Sequence, residues 1–172
     1  RHMKRAYFNM HLAIFLWGFT GILGKAIDLS EGMIVWYRMA ISAIGLLPLL
    51  ISRGMVIPEK KEIISISFVG MLVALHWVLF YGAIKASNVS IALSCFSSIS
   101  LFTALLEPMS RKQKPKTAEI LLGISVIIGL YIIFSVQQLY FTGILLAVAS
   151  ALLGAMFTIL NKKLTTRHPP EI

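Results

Sequence analysis

The chain has 172 residues, of which 58% are hydrophobic and only 13% charged. Soluble domains run to about 45–50% apolar and about 25% charged residues, so a soluble globular protein is excluded. A formal charge of +9 would suit a nucleic-acid binder, but the basic residues fall in short clusters between apolar runs, which is the pattern of membrane topology.

Arg1, His2 and Met3 read as the remnant of a cleaved expression tag, residues 1–3, with the natural start at Met3. Crossing the hydrocarbon takes about 20 apolar residues in a helix. The first such run is Phe8–Ile27, too long for a signal-peptide core and followed by no small-residue cleavage pattern. Within it lies "WGFTGILGK". A phosphate loop is excluded: five residues, not four, separate Gly18 from the Gly24-Lys25 step, and Ala26 stands where Ser or Thr is needed. Gly18, Gly21 and Gly24 share a broad helix face and allow close approach of a neighbour. Trp17 is expected to point toward the centre. Lys25 either snorkels or pairs with Asp28, or else faces a cavity and meets an anion.

The second run, Met33–Ile51, carries Arg38 early. Its charge needs a partner: Glu31, two turns earlier, or a carboxylate or phosphate of a substrate, for which the planar fork is suited. The third, Ile63–Ile84, places His76 near its middle beside Trp77, with Phe80 and Tyr81 a turn on. A mid-membrane histidine is costly unless partnered, and it titrates near physiological pH. It is either a neutral group bonded to another helix or a contact for substrate or protons.

The fourth run, Val89–Leu106, reads as one helix. Ser90, Ser94 and Ser97 form a stripe, with Ser98, Ser100 and Thr103 nearby; close packing and a cavity wall want the same residues. Glu107 and Pro108 end it, the glutamate as a surface ion-pair partner for "SRKQKPK". The fifth run, Ala118–Val136, and the sixth, Gly143–Leu160, each carry a small-xxx-small pair, Ser125/Gly129 and Ser150/Gly154, read as packing. Period-two alternation is absent, so membrane strands are not expected.

With the N-terminus in the cytoplasm, thirteen of the sixteen basic residues share that side: Arg1, Lys4, Arg5, Arg53, Lys60, Lys61, Arg111, Lys112, Lys114, Lys116, Lys162, Lys163 and Arg167. Lys25, Arg38 and Lys85 fall near the other. The positive-inside rule prefers this threading. Trp36, Tyr37, Tyr140 and Phe141 then lie near the outer interface, where amphipathic rings settle. The sixth run can be laid over the first, matching Gly154 to Gly18 and Ala149 to Ala13. A repeat unit of five helices is odd, so its two copies cross in opposite senses, as in inverted-repeat carriers.

The chain resembles the EamA family of the drug/metabolite transporter superfamily. The likeness rests on "LAIFLWGFTGILGKA", "MIVWYRMAISAI", "LHWVLFYGAIKASNVSIALSCFSSISLFTALLEP" and "ILLGISVIIGLYII". It implies an all-α membrane protein with the first half, and one helix more, of a ten-helix inverted-repeat transporter. Residues 4–142 would be the first five-helix repeat, and 143–172 the first helix and loop of a truncated second. The resemblance places Trp17, His76, Tyr81, Ser94 and Ser98 around a central cavity. Together with Lys25 and Arg38 these are the expected substrate-binding residues. The expected function is export of a small polar or amphipathic metabolite across a bacterial inner membrane by alternating access. A non-transporting scaffold or small oligomeric multidrug-type module is the second reading. The partners expected are the bilayer, a small solute, protons and a second copy of the chain; no nucleic acid and no cofactor is expected. Catalysis lacks support: no HExxH occurs, no two carboxylates share a membrane face, and the lone Cys95 gives neither a disulfide nor a zinc cluster.

Overall fold

A computed structural model describes residues 2–52, 59–136 and 140–165, with side chains from residue 5 onward. The expected tag remnant, Arg53, Arg167 and the loop after the sixth helix lie outside the side chains so described. Seven helices follow in order: α1 (His2–Ala26), α2 (Glu31–Ser52), α3 (Lys60–Ala86), α4 (Val89–Phe96), α5 (Ile99–Ser110), α6 (Thr117–Val136) and α7 (Phe141–Thr165). They make six segments long and apolar enough to cross a membrane, α4 and α5 together forming the fourth. Ile44, Ile64 and Tyr131 are each about 70% exposed. Large apolar side chains bared on every outer helix fit a hydrocarbon solvent rather than water.

The fourth span crosses as the sequence reading has it, but its α-helix is interrupted within the span. It breaks at Ser97 and Ser98. Three serine hydroxyls donate to carbonyls three residues back: Ser97 to Ser94 at 2.6 Å, Ser98 to Cys95 at 2.7 Å and Ser100 to Ser97 at 2.9 Å. The backbone tightens with them, the Ser98 and Ser100 N–H groups also reaching back three residues, to the Cys95 and Ser97 carbonyls at 3.2 Å. Clustered serines offer carbonyls an alternative to the helical ladder, and the α-helix is interrupted there.

α7 lies at the middle, packed most extensively on α3 and then on α5 and α4. Its buried face is Gly143, Ile144, Ala147, Ser150, Ala151, Gly154, Ala155 and Ile159. Helices in lipid gain little from hiding apolar groups from one another, so close approach of small residues and buried polar bonds must hold them. A Cβ at Gly143 would sit 2.5 Å from the Ser87 Cβ, and one at Gly154 would sit 2.8 Å from the Ile99 Cδ1. α1 leans on α3 and α4, α2 on α3, and α6 on α5. The apolar core joins Ile34 and Val35 to Phe80, Ala83, Ile84, Ile91, Cys95, Ile144 and Ala147.

Ion pairs tie the two ends of the bundle. At one end Glu107 accepts from Lys162 at 2.7 Å and from Arg111 at 2.9 Å, the surface pairing expected of it. The opposite end has Lys85 against Glu31 at 3.7 Å, with the Lys85 ammonium also donating to the Leu29 carbonyl. Asn88 caps α4 by accepting from the Ile91 N–H at 2.9 Å.

Candidate functional site: a polar cluster inside the bundle

α3 supplies the centre of the site. His76, Trp77, Phe80 and Tyr81 fall on one broad side of it because the helix repeats every 3.6 residues. His76 is 7% exposed and lies against α7. Its Nδ1 is 2.8 Å from the Ser150 carbonyl oxygen, which can only accept, so Nδ1 carries the hydrogen. The Ser150 hydroxyl donates to the His76 carbonyl at 2.9 Å and stands 3.0 Å from Nδ1. Two residues on two helices thus satisfy one another's side chain and backbone. A neutral ring in this tautomer has its lone pair on Nε2, and no described residue bonds that nitrogen. Gly154 makes the docking fit, since a Cβ there would lie 3.2 Å from Nδ1. The Phe96 and Trp77 rings, at 5.3 and 5.1 Å, flank the imidazole.

One turn further along, Tyr81 is 3% exposed and lies alongside the Trp77 ring at 5.7 Å and 28°. Its hydroxyl oxygen accepts from the Arg38 Nη1 at 3.0 Å. The Arg38 guanidinium carbon stands 3.8 Å over the Trp77 ring centre, a cation–π contact. The expected Arg38–Glu31 pair is therefore corrected: Glu31 turns to Lys85, and Arg38 turns inward to α3. A Cβ on Gly24 would overlap the Tyr81 ring, so the absence of a side chain there lets α1 press on the tyrosine.

The structure gathers Arg38, His76 and Tyr81 of the seven expected residues on one run of α3 and its neighbours. Ser98 is buried, its hydroxyl spent on the Cys95 carbonyl. Ser94 faces out and lines, with Leu93, Ser97, Val126, Gly129, Leu130 and Ile133, a crevice of about 470 Å³ between α4 and α6. Lys25 is exposed, and among the described residues no ion pair joins it to Asp28. Trp17 is 68% exposed and apart from the cluster. α1 touches the bundle near its end, where Gly21 meets Val89 and Gly24 meets Tyr81; a Cβ on Gly18 would have nothing within 4 Å. Trp77 and Ser150 are the residues that sequence reasoning did not place in the site. In the sequence Trp77 is only a neighbour of His76, and Ser150 only half of a packing pair.

A family-wide sequence description, the EamA-like transporter family, matches residues 4–135. The chain belongs to the EamA-like transporter family. No curated protein and no solved structure matches it alongside. This EamA protein is accordingly a multi-pass membrane transporter embedded in a lipid bilayer.

Proposed function

We propose that this EamA protein is a secondary transporter that exports a small polar or amphipathic metabolite by alternating access, with its N-terminus in the cytoplasm of a bacterial cell. The observation that carries the reading is the polar run of Arg38, Tyr81, His76 and Ser150 through helices otherwise built of apolar and small residues. Polar and ionisable groups inside a membrane are costly and mark solute and ion paths. Trp17, Lys25, Arg38, His76, Tyr81, Ser94 and Ser98 remain the proposed contacts, with Trp77 added. Trp17, Lys25 and Ser94, exposed in this chain, would act at faces turned toward a partner half or a second copy.

In this reading residues 4–142 are one five-helix half and residues 143–172 open the inverted second half. The α3–α7 seam is then a joint between halves, and the His76–Ser150 bonds lie in it. Protonation of the free Nε2 would add a charge at that seam and bias its opening, which is how a proton gradient could be coupled to movement.

The test replaces His76 with Asn. The amide nitrogen of Asn mimics Nδ1, preserves donation to the Ser150 carbonyl and cannot titrate. Purified full-length protein is reconstituted in proteoliposomes and counterflow of candidate metabolites is measured. We expect His76→Asn to fold, to exchange solute, and to lose the pH dependence of net transport that a titrating imidazole confers. Wild-type protein that exchanges nothing across a broad metabolite panel sinks the transporter assignment. An unchanged pH profile sinks only the coupling role.

A further inference from the structure

We infer that the Arg38 guanidinium is a seat for an oxyanion, and that the transported solute carries a carboxylate or phosphate. This rests on the transporter reading and deepens it. Arg38 lies seven residues into α2, about 10 Å below the helix start at 1.5 Å per residue. At that depth its charge needs compensation, since arginine does not give up its proton. Its neighbours supply none. The Tyr81 hydroxyl uses one N–H, and the guanidinium carbon stands 3.8 Å from the Trp77 ring centre. Four of the five guanidinium donors stay uncommitted among the described residues. Glu31, the carboxylate on the same helix, is committed to Lys85. Of the three basic residues assigned to this side, Lys25 is exposed and Lys85 pairs with Glu31, while Arg38 turns onto α3 with no carboxylate partner among the described residues.

The surroundings also hold the fork still. The Trp77 ring lies against its carbon and Tyr81 holds one Nη1 corner. Tyr81 is itself wedged by Gly24 of α1 and by the Trp77 ring. A guanidinium preset in this way meets a carboxylate or phosphate through two parallel bonds with little ordering left to do. The aromatic rings beside it offer an apolar wall to the remainder of the molecule. The occupant of the seat is thus an organic anion with an apolar or aromatic body.

The experiment is thermal unfolding of purified full-length protein in phosphatidylcholine nanodiscs. The probes are benzoate, hexanoate and phenyl phosphate, each compared with a neutral counterpart: benzamide, hexanamide and phenol. We expect one or more anions to raise the unfolding temperature while its counterpart does not. Arg38→Gln should weaken binding of that anion about 10- to 100-fold, the size of lost charge-assisted bonds. Arg38→Lys keeps the charge but not the fork and should fall between, which keeps the test informative if the Gln variant folds poorly. Tyr81→Phe, a positioning change, should weaken binding less than Arg38→Gln while leaving neutral counterparts inert. Equal shifts by anions and neutral counterparts, no shift by any anion, or an undiminished shift in Arg38→Lys overturns the seat. If nanodiscs containing phosphatidylglycerol stabilise the protein through Arg38 while soluble anions do nothing, the seat belongs to a lipid headgroup and the substrate claim fails. Transport of a neutral solute with Arg38→Lys fully active would remove the oxyanion inference and leave the transporter reading standing.

Discussion

α6 and α7 invite comparison because by sequence they are near equals. Both are apolar enough to span a bilayer, and both carry a serine and a glycine four residues apart, Ser125/Gly129 and Ser150/Gly154. Yet 6% of the apolar window of α6 is buried, against 44% of that of α7. Ser125 returns its hydroxyl to the Leu122 carbonyl of its own helix, while Ser150 gives its hydroxyl to His76 of α3. Small-xxx-small spacing therefore permits close packing without commanding it. What recruits α7 is a complementary partner, a histidine that needs a bond, together with Ala147, Ala151 and Ala155 extending the small face in both directions. α6 instead surrounds its pair with Ile124, Ile127, Ile128 and Ile132, all exposed.

The sharpest way to break this comparison is to fill the two glycines. A Cβ at Gly154 already crowds Ile99 and the His76 ring, whereas one at Gly129 meets nothing within 4 Å. Gly154→Leu should destabilise by at least the 1–3 kcal/mol typical of overpacking, and the variant should aggregate on size exclusion or unfold at markedly lower temperature. Gly129→Leu should keep the wild-type unfolding temperature. Equal damage from both would mean that α6 is packed as tightly as α7 by something outside the described residues.

The same contrast runs along α1. Gly24 is pressed by the Tyr81 ring and Gly18 by nothing. Tyr81 cannot swing away freely, since it is 3% exposed, bonded to Arg38 and laid on Trp77. Gly24→Ala should therefore cost about 1–3 kcal/mol and displace the tyrosine that positions Arg38, lowering solute exchange as well as stability. Gly18→Ala should be neutral, or stabilising by up to about 1 kcal/mol from helix propensity. Exchange kinetics and unfolding of the pair measure both effects; a functional loss in Gly18→Ala and none in Gly24→Ala would reverse the roles assigned here.

These pairs also show what a reader of the sequence could see. All six apolar runs matched spans to within a few residues, because a bilayer imposes length and hydropathy on each segment separately. The inward face of α3 was legible because His76, Trp77 and Tyr81 are close in one helix. Legibility ended where a property belonged to two segments at once. Glu31 and Arg38 share α2, but Lys85 arrives from α3 and takes the glutamate. The fourth span reads as continuous because serine is tolerated in helices, and the clustering at 97, 98 and 100 interrupts its α-helical ladder. Nothing in the composition of the last run distinguished a central helix from a peripheral one. Trp17 shares a stripe with Gly21, yet α1 diverges from the bundle before reaching it.

The smallest expected difference is also the cleanest. Ser150→Ala removes the hydroxyl that donates to the His76 carbonyl, but leaves the Ser150 carbonyl to accept from Nδ1. Interhelical bonds of this kind average about 0.6 kcal/mol, because a loosened chain in a membrane finds other partners. Ser125→Ala removes a hydroxyl bonded only to its own helix and should change nothing measurable. The difference is near the limit of a single unfolding curve, so a double-mutant cycle with His76→Asn is the better measurement. Asn keeps the carbonyl bond, and the backbone carbonyl at position 76 remains in place. The two substitutions should therefore add independently if the hydroxyl acts on the backbone alone. A coupling well above 0.6 kcal/mol would show that the hydroxyl and the imidazole form one unit, and that the ring's proton is held by Ser150 Oγ as much as by its carbonyl.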